Sequence, residues 1–160
     1  MKYSFTYLLL LGLFFAKAQN PLSSFEPLMG KVWKAEGKWG DGSEFRQEVT
    51  FKYDLNESIV IADSKGFINQ EQTKFGNRNH GVRKYDKASG EVLFWEFDAF
   101  GGLTEGTVTF QDGTIIYTYS YSGTELSDTW KKVDDNTYNF VVANAKNPEE
   151  KYLEAKFVAQ

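Results

Sequence analysis

A chain of 160 residues is long enough for one domain with its own core and too short for two domains of ordinary size. Its formal net charge of −4, without a basic cluster, would repel phosphate backbones, so we expect no nucleic-acid partner. The absence of cysteine excludes disulfides, iron–sulfur clusters, thiol catalysis and a lipid anchor on cysteine.

The first eighteen residues have the pattern of a secretory signal peptide. Lys2 supplies positive charge, residues 7–15 (YLLLLGLFF) form an apolar run, and Ala16-Lys17-Ala18 has the small-x-small form of a cleavage site. The run is shorter than the roughly 20 residues of a membrane-spanning helix, although an uncleaved anchor or a core helix is the alternative. The sequence therefore predicts a signal peptide over residues 1–18, cleavage after Ala18, and a periplasmic or secreted domain over residues 19–160 without a membrane anchor.

The remaining chain reads as short strands separated by turns. Residues 21–29 (PLSSFEPLM) predict a short N-terminal helix limited by Pro27. Alternation of apolar and polar residues begins at 31–39 and is clearest over 44–53, which indicates half-buried strands. Further strands are predicted at 58–67, 71–75, 79–85, 91–98, 103–111, 114–121, 125–133, 137–143 and 151–158. Asp112-Gly113 is typical of a tight hairpin turn in which both residues have positive φ.

About ten antiparallel strands in simple chain order predict an all-β, up-and-down barrel. Short hairpins leave no room for the crossovers that a parallel sheet requires. A single sheet of this length curls, and closure removes its exposed edges. A sandwich of two sheets is the alternative. Since eight-stranded barrels already hold one small ligand, a ten-stranded barrel is expected to enclose a cavity.

Several patterns resemble known barrel families. Residues 28–33 (LMGKVW) open the first strand much as the Gly-x-Trp signature opens lipocalins and fatty-acid-binding proteins, with one extra residue before Trp33. The Y-D-x-x-x-G pattern at 85–90, the aromatic strand at 94–98 and the hairpin at 112–113 resemble a bacterial lipocalin-like (calycin-type) family of unknown function. The resemblance implies a barrel with Trp33 packed across its closed end, and it implies no particular activity.

The chain contains a single histidine, which limits the haem and metal sites that it could form. Nitrobindin-like haem barrels are similar at their start and hold ferric haem through a histidine near the last strand, but residues 151–160 contain none. His80 is the only histidine, so a metal site with several histidines is excluded. We interpret His80 as a solvated or hydrogen-bonded loop residue, with a general base or a sole metal ligand as the alternative. No cofactor, metal site or catalytic residue is predicted.

The candidate ligand-binding residues are large aromatic side chains on strands and one arginine: Trp33, Arg83, Trp95, Tyr117, Tyr119 and Trp130. Tyrosines that point inward would bring hydroxyl groups into an apolar cavity, where a ligand's polar end could bind them. Alternatively, the tyrosines form an outer stripe or bond to one another, and the tryptophans fill the core.

Charged residues share strand faces with apolar ones, notably Glu96 with Phe94, and Asp128 with Trp130. We interpret these charges as solvated where the strands flare at the barrel mouth. If they instead lie inside with Arg83, they would form a carboxylate-binding pair or an acid/base site.

Three functions are compatible with this sequence. The leading hypothesis is an exported protein that binds a small apolar or amphipathic molecule inside the barrel. The first alternative is a calycin-type enzyme that uses a Tyr/Arg/carboxylate cavity for proton transfer. It requires Glu96 or Asp128 to point inward, within hydrogen-bonding distance of Arg83 or Tyr119. The second alternative is a ligand-free structural or interaction module of the cell envelope with a solid barrel.

Overall fold

The computed structural model describes residues 20–160, so the predicted signal peptide and its cleavage site lie outside the described residues. Within residues 20–160, ten antiparallel strands form one closed barrel in which the last strand pairs with the first. In chain order the strands are β1 (Val32–Lys38), β2 (Glu44–Asp54), β3 (Ile59–Phe67), β4 (Phe75–Asp86), β5 (Glu91–Asp98), β6 (Leu103–Gln111), β7 (Thr114–Tyr121), β8 (Thr124–Asp134), β9 (Thr137–Asn144) and β10 (Asn147–Ala159). None of the helical segments in this part of the chain has the length and apolar character needed to cross a membrane.

Tight turns between neighbouring strands account for the up-and-down order. Asp112 and Gly113, between β6 and β7, have φ values of 48° and 75°. The pair therefore forms the predicted hairpin turn, whose backbone twist matches that of the flanking strands. Ser122 and Gly123 repeat the arrangement between β7 and β8, with φ values of 49° and 80°. The predicted all-β antiparallel barrel is confirmed.

The strand predicted at residues 71–75 is wrong. These residues belong to the connection between β3 and β4, and only Phe75 lies in a strand. Asn69 organises this connection, because its Oδ1 accepts hydrogen bonds from the backbone N–H groups of Thr73 (3.1 Å) and Lys74 (2.8 Å). Such bonds from a side chain to the local backbone replace those of a strand ladder.

The segment before β1 closes one end of the barrel. In place of the short helix expected over 21–29, residues Ser23–Leu28 form a 3-10 helix. Its Phe25 is fully buried and contacts the rings of Phe51 and Phe110 on the inner face of the barrel. The indole Nε1 of Trp33 donates a hydrogen bond of 2.9 Å to the carbonyl of Leu28. This segment therefore holds Trp33 at the closed end, where the family resemblance places it.

Aromatic side chains fill the closed half of the barrel. The rings of Trp130 and Phe157 stack with their centroids 4.1 Å apart, and Phe51 meets Trp130 edge-on at 5.8 Å. Trp33 and Tyr138 pack edge-to-face at 5.2 Å. Burial of this much aromatic surface makes the closed half a dense core.

Candidate functional site

The barrel interior contains a cavity of about 910 Å³. Its inner part is lined by apolar side chains that include Phe51, Phe94 and Trp130. At the opposite end its lining includes exposed residues of the turns after β1 and β7, such as Asp41 and Ser122. The cavity therefore opens to solvent at the end of the barrel away from the 3-10 helix.

A buried arginine is the centre of the polar part of the cavity wall. Arg83, on β4, is 4% exposed. Its Nε donates to the hydroxyl of Tyr117 at 3.1 Å, and its Nη2 donates to Oε2 of Glu96 at 3.1 Å. The other oxygen of Glu96 accepts a hydrogen bond of 2.9 Å from the Asn79 amide. Burial opposes the charge of Arg83, but Tyr117 and Glu96 outweigh burial and raise its pKa above the ordinary arginine value.

Gly81 makes room for this arginine. A Cβ atom at Gly81 would lie 1.9 Å from Nη1 of Arg83, a distance that no pair of non-bonded atoms can hold. The guanidinium group therefore occupies the space above the glycine. Within residues 20–160, Nη1 of Arg83 is the buried side-chain nitrogen for which no hydrogen-bond partner is present.

A second polar pair lies on β7 and β8. The hydroxyl of Tyr119 donates a hydrogen bond of 2.8 Å to Oδ1 of Asp128. Burial, aided by the charge of Glu96, raises the pKa of Asp128 from 3.8 to about 7, against the opposing effects of Tyr119 and Arg83. Burial and the Asp128 carboxylate also raise the pKa of Tyr119 far above its usual range. Asp128 is therefore a carboxyl group that exchanges a proton near neutral pH. We name the whole set the polar cluster: Asn79, Arg83, Glu96, Tyr117, Tyr119 and Asp128.

Phe94 packs between the two tyrosines of the polar cluster. Its ring meets Tyr117 edge-on at 5.1 Å and Tyr119 edge-on at 6.0 Å. Gly106, opposite Phe94 on β6, permits this approach, since a Cβ there would lie 3.0 Å from the Phe94 ring and 2.0 Å from the carbonyl oxygen of Thr118. The Phe94 ring therefore packs against both tyrosine side chains of the cluster.

The six candidate residues fall into two groups. Four of them line the cavity: Arg83, Tyr117, Tyr119 and Trp130. Trp33 is buried in the closed end, and Trp95 lies on the outer face of β5, because its neighbours Phe94 and Glu96 point inward. Neither Trp33 nor Trp95 lines the cavity.

Three members of the polar cluster were not among the candidates: Asn79, Glu96 and Asp128. The interpretation of Glu96 and Asp128 as solvated mouth charges is wrong, since both are half-buried and bonded to Arg83 and Tyr119 respectively. The signal that could have found them is strand alternation, which places Glu96 on the face of Phe94 and Asp128 on the face of Trp130.

His80 lies apart from the cavity. It is exposed on the outer face of β4, and its Nδ1 is 2.6 Å from Oδ1 of Asp63. The interpretation of His80 as a solvated, hydrogen-bonded residue is confirmed, although it stands in a strand and not in a loop. Across residues 20–160, no three His, Cys, Asp or Glu side chains are arranged to hold a metal ion.

Comparison with known proteins identifies a similar fold and no family. No protein family and no curated protein matches the chain. Solved structures similar to it include a redesigned β-barrel, with 12% identity over 86% of this chain and 95% of that one and a TM-score of 0.46. They also include the S-type phycobiliprotein lyase CPES from Guillardia theta, with 12% identity over 84% and 88% and a TM-score of 0.50. At such identity the likeness to the lyase shows the fold alone, an antiparallel β-barrel.

Proposed function

We propose that the protein binds a small amphipathic molecule inside the barrel. The observation that carries this proposal is the cavity of about 910 Å³, which is closed at one end and open at the other. Small-molecule sites are typically concave, with about 300–1,000 Å³ of space. Export to the periplasm or the cell exterior is part of the proposal, and its support is the signal-peptide pattern of residues 1–18.

The chemistry of the cavity wall favours an amphipathic ligand over a purely apolar one. Aromatic rings such as Phe51 and Trp130 line the inner part, whereas the polar cluster lies on the side formed by β4, β5, β7 and β8. Binding sites commonly combine an apolar lining with a few polar groups that orient the ligand. The size of the cavity supports the binding function over a structural module with a solid barrel.

Tryptophan fluorescence tests the proposal directly. Trp130 lines the cavity, whereas Trp95 lies on the outer face, so the two tryptophans form a matched pair. Delipidated protein is titrated with fatty acids, retinoids, flavonoids and haem. We expect saturable quenching that is reduced in Trp130→Phe and unchanged in Trp95→Phe. Absence of a saturable response to every ligand in the panel would contradict the proposal.

The polar cluster also favours a second candidate function, proton transfer on a phenolic or carbonyl compound. An enzyme of this kind requires Glu96 or Asp128 to contact Arg83 or Tyr119, and two such contacts are present: Glu96 with Arg83 at 3.1 Å and Asp128 with Tyr119 at 2.8 Å. A carboxyl group with a pKa of about 7 suits general acid–base catalysis at neutral pH. The Asp128 carboxylate would remove a proton from the carbon beside a carbonyl and return it.

Deuterium exchange distinguishes this candidate from simple binding. Cyclic ketones are incubated with the protein in D₂O, and NMR follows deuterium at the carbon beside the carbonyl. Catalysis predicts exchange that Asp128→Asn abolishes and that Trp95→Phe, on the outer face, leaves unchanged. Exchange at the rate of buffer alone removes the enzymatic candidate and leaves the binding proposal intact.

A further inference from the structure

Asp128 is a carboxyl group in the cavity wall without a cationic partner. Its Oδ1 accepts the hydrogen bond from Tyr119, and none of the ion pairs among residues 20–160 includes Asp128. Asp128 itself lines the cavity. Buried or half-buried carboxylates are normally paired, so an unpaired one in a ligand cavity indicates a partner that the ligand supplies.

The cationic group nearest in the fold is already neutralised. Arg83 forms an ion pair with Glu96 and a hydrogen bond with Tyr117, and its free Nη1 is buried against Gly81. The polar cluster therefore has no net charge when Asp128 is protonated and a net charge of −1 when Asp128 is ionised. An anionic ligand group would be repelled by Glu96 and Asp128, whereas a cationic one would be attracted.

The arginines at the cavity mouth do not reverse this balance. Arg46 pairs with Glu36 and stacks on the Phe75 ring. Arg78 donates to the carbonyl of Phe67 and stacks on the ring of an exposed phenylalanine. Neither guanidinium group is among the charges that shift the pKa of Asp128.

We infer that the ligand carries a protonated nitrogen, as an ammonium group or a protonated nitrogen heterocycle, which pairs with Asp128 while its apolar body lies along the aromatic wall. The inference rests on the proposed binding function and specifies the ligand's polar group. The aromatic wall adjoins Asp128, because Trp130 follows Asp128 on the inner face of β8 and Tyr117 lies opposite it on β7, and both residues line the cavity.

The groups that face Asp128 set the pH dependence. They are Tyr117 and Tyr119 on β7 and, at longer range, Glu96 and Arg83, while its partner on β9 is the apolar Val142. Without ligand, burial keeps the pKa of Asp128 at about 7. A bound cation favours the ionised form, so the affinity for a permanent cation should increase roughly tenfold per pH unit below that pKa and level off above it.

Three dodecyl compounds of equal chain length test the inference: dodecylammonium, dodecanol and dodecanoate. Each is used below its micelle concentration at about pH 8 to displace the neutral fluorescent probe N-phenyl-1-naphthylamine from the full-length mature protein. We expect dodecylammonium to bind at least about tenfold more tightly than dodecanol, and dodecanoate to bind most weakly.

Two variants assign the effect to one carboxyl group. Asp128→Asn should remove the advantage of dodecylammonium over dodecanol, and circular dichroism of the variant checks that it is folded. Glu125→Gln is the matched control, because Glu125 lies on the same strand but is exposed and pairs with Lys146. It should leave all three affinities unchanged.

The outcomes separate the inference from the proposed function. Equal affinities for the three compounds, or tighter binding of dodecanoate, overturn the cationic ligand and leave the binding function in place. The same holds if Asp128→Asn does not change the preference. If neither the probe nor any dodecyl compound binds to protein whose circular dichroism shows an intact barrel, the binding function itself is overturned.

Discussion

Arg83 and Gly81 form an interdependent pair on the inner face of β4. The guanidinium group lies where a Cβ of residue 81 would stand, and this position brings it to Tyr117 and Glu96. A buried charge is stable only while its hydrogen bonds and its ion pair are in place. Arg83 can therefore occupy this position only if residue 81 has no side chain. Gly81 lies within a strand and has no positive φ, so neither a turn nor its backbone conformation accounts for the glycine.

Gly81→Ala should lower the free energy of unfolding by about 2–4 kcal/mol, because the added methyl group displaces a buried, hydrogen-bonded charge. In an Arg83→Met background, Gly81→Ala should lower the free energy of unfolding much less, because Nη1 of Arg83, the atom that the new methyl group would meet, is absent. Urea unfolding of the four proteins in this double-mutant cycle measures the difference. Equal effects of Gly81→Ala in both backgrounds would contradict the interdependence.

Asp128 should make stability depend on pH. Its pKa is raised from 3.8 to about 7 in the folded protein, so the folded state retains a proton that the unfolded state loses. Its contribution is therefore complete below about pH 4 and is lost as the pH rises to about 7. Since one pKa unit corresponds to about 1.4 kcal/mol, the loss is on the order of 2–4 kcal/mol.

Asp128→Asn isolates this contribution, because asparagine has the same shape and does not ionise. The free energy of unfolding of the variant minus that of the unsubstituted protein should be larger at about pH 8 than at about pH 5. Urea unfolding of both proteins at the two pH values measures this difference. Glu125→Gln, an exposed carboxylate on the same strand, serves as control. A stability difference that is equal at the two pH values would show that Asp128 ionises as freely in the folded state as in the unfolded state.

At the residue scale, strand alternation predicted which face each side chain occupies but not what it contacts. It placed Arg83, Tyr117, Tyr119 and Trp130 on faces that do line the cavity. The partners of Arg83 come from β5 and β7, and no pattern within one strand shows that its side chain reaches Tyr117. Trp95 was selected for its size, although alternation with Phe94 already placed it on the opposite face.

At the element scale, the segment over residues 20–28 acts as a plug for the closed end. Leu22, Phe25 and Leu28 are buried almost completely, and the carbonyl of Leu22 accepts a hydrogen bond from the Tyr53 hydroxyl. Because the segment has few backbone hydrogen bonds to the barrel, apolar contact must provide most of its attachment.

Phe25→Ala should lower the free energy of unfolding by about 3–5 kcal/mol, the usual effect of truncating a fully buried phenylalanine. Phe100→Ala is the matched control, since Phe100 is 53% exposed at the barrel rim, and its loss should change stability by about 1 kcal/mol or less. Guanidinium unfolding followed by circular dichroism gives both values. A similar effect of the two substitutions would mean that the segment is not packed into the barrel.

Elements were predictable where turn chemistry is local. A two-residue hairpin turn requires positive φ at both central residues, and Asp112-Gly113 is a pair that tolerates it, so the hairpin was predictable from these two residues. The connection around Asn69 is different, because its hydrogen bonds to Thr73 and Lys74 occupy a stretch whose composition also suits a strand. The 3-10 geometry of Ser23–Leu28 depends on packing against barrel residues such as Phe51. These residues lie elsewhere in the chain, so the sequence of the segment alone does not predict this geometry.

At the scale of the whole molecule, the pairing of β1 with β10 closes the antiparallel meander into a barrel with an interior cavity. Nine of the ten strand pairings join neighbours in the chain, whereas β1 and β10 meet across the full length of the domain. Their ladder consists of Trp33 with Ala159 and Lys34 with Val158, and an isolated bridge joins Trp39 with Leu153. By contrast, the ladder between β1 and β2 is continuous over Val32–Lys38.

The seam between β1 and β10 should therefore be the least protected ladder of the barrel. The pairs at the two ends of the seam have the same register, so residues 35–38 of β1 lie opposite residues 154–157 of β10. No ladder pairing between β1 and β10 joins these two ranges. Amides that point across the seam in these ranges should exchange with solvent faster than amides of the complete ladder between β5 and β6. Site-resolved hydrogen exchange by NMR measures the contrast within one sample, with the β1 amides that face β2 as internal reference. Equal protection at the seam and between β5 and β6 would show that closure is as cooperative as the hairpins, and the barrel would then have no preferred place to open along its side.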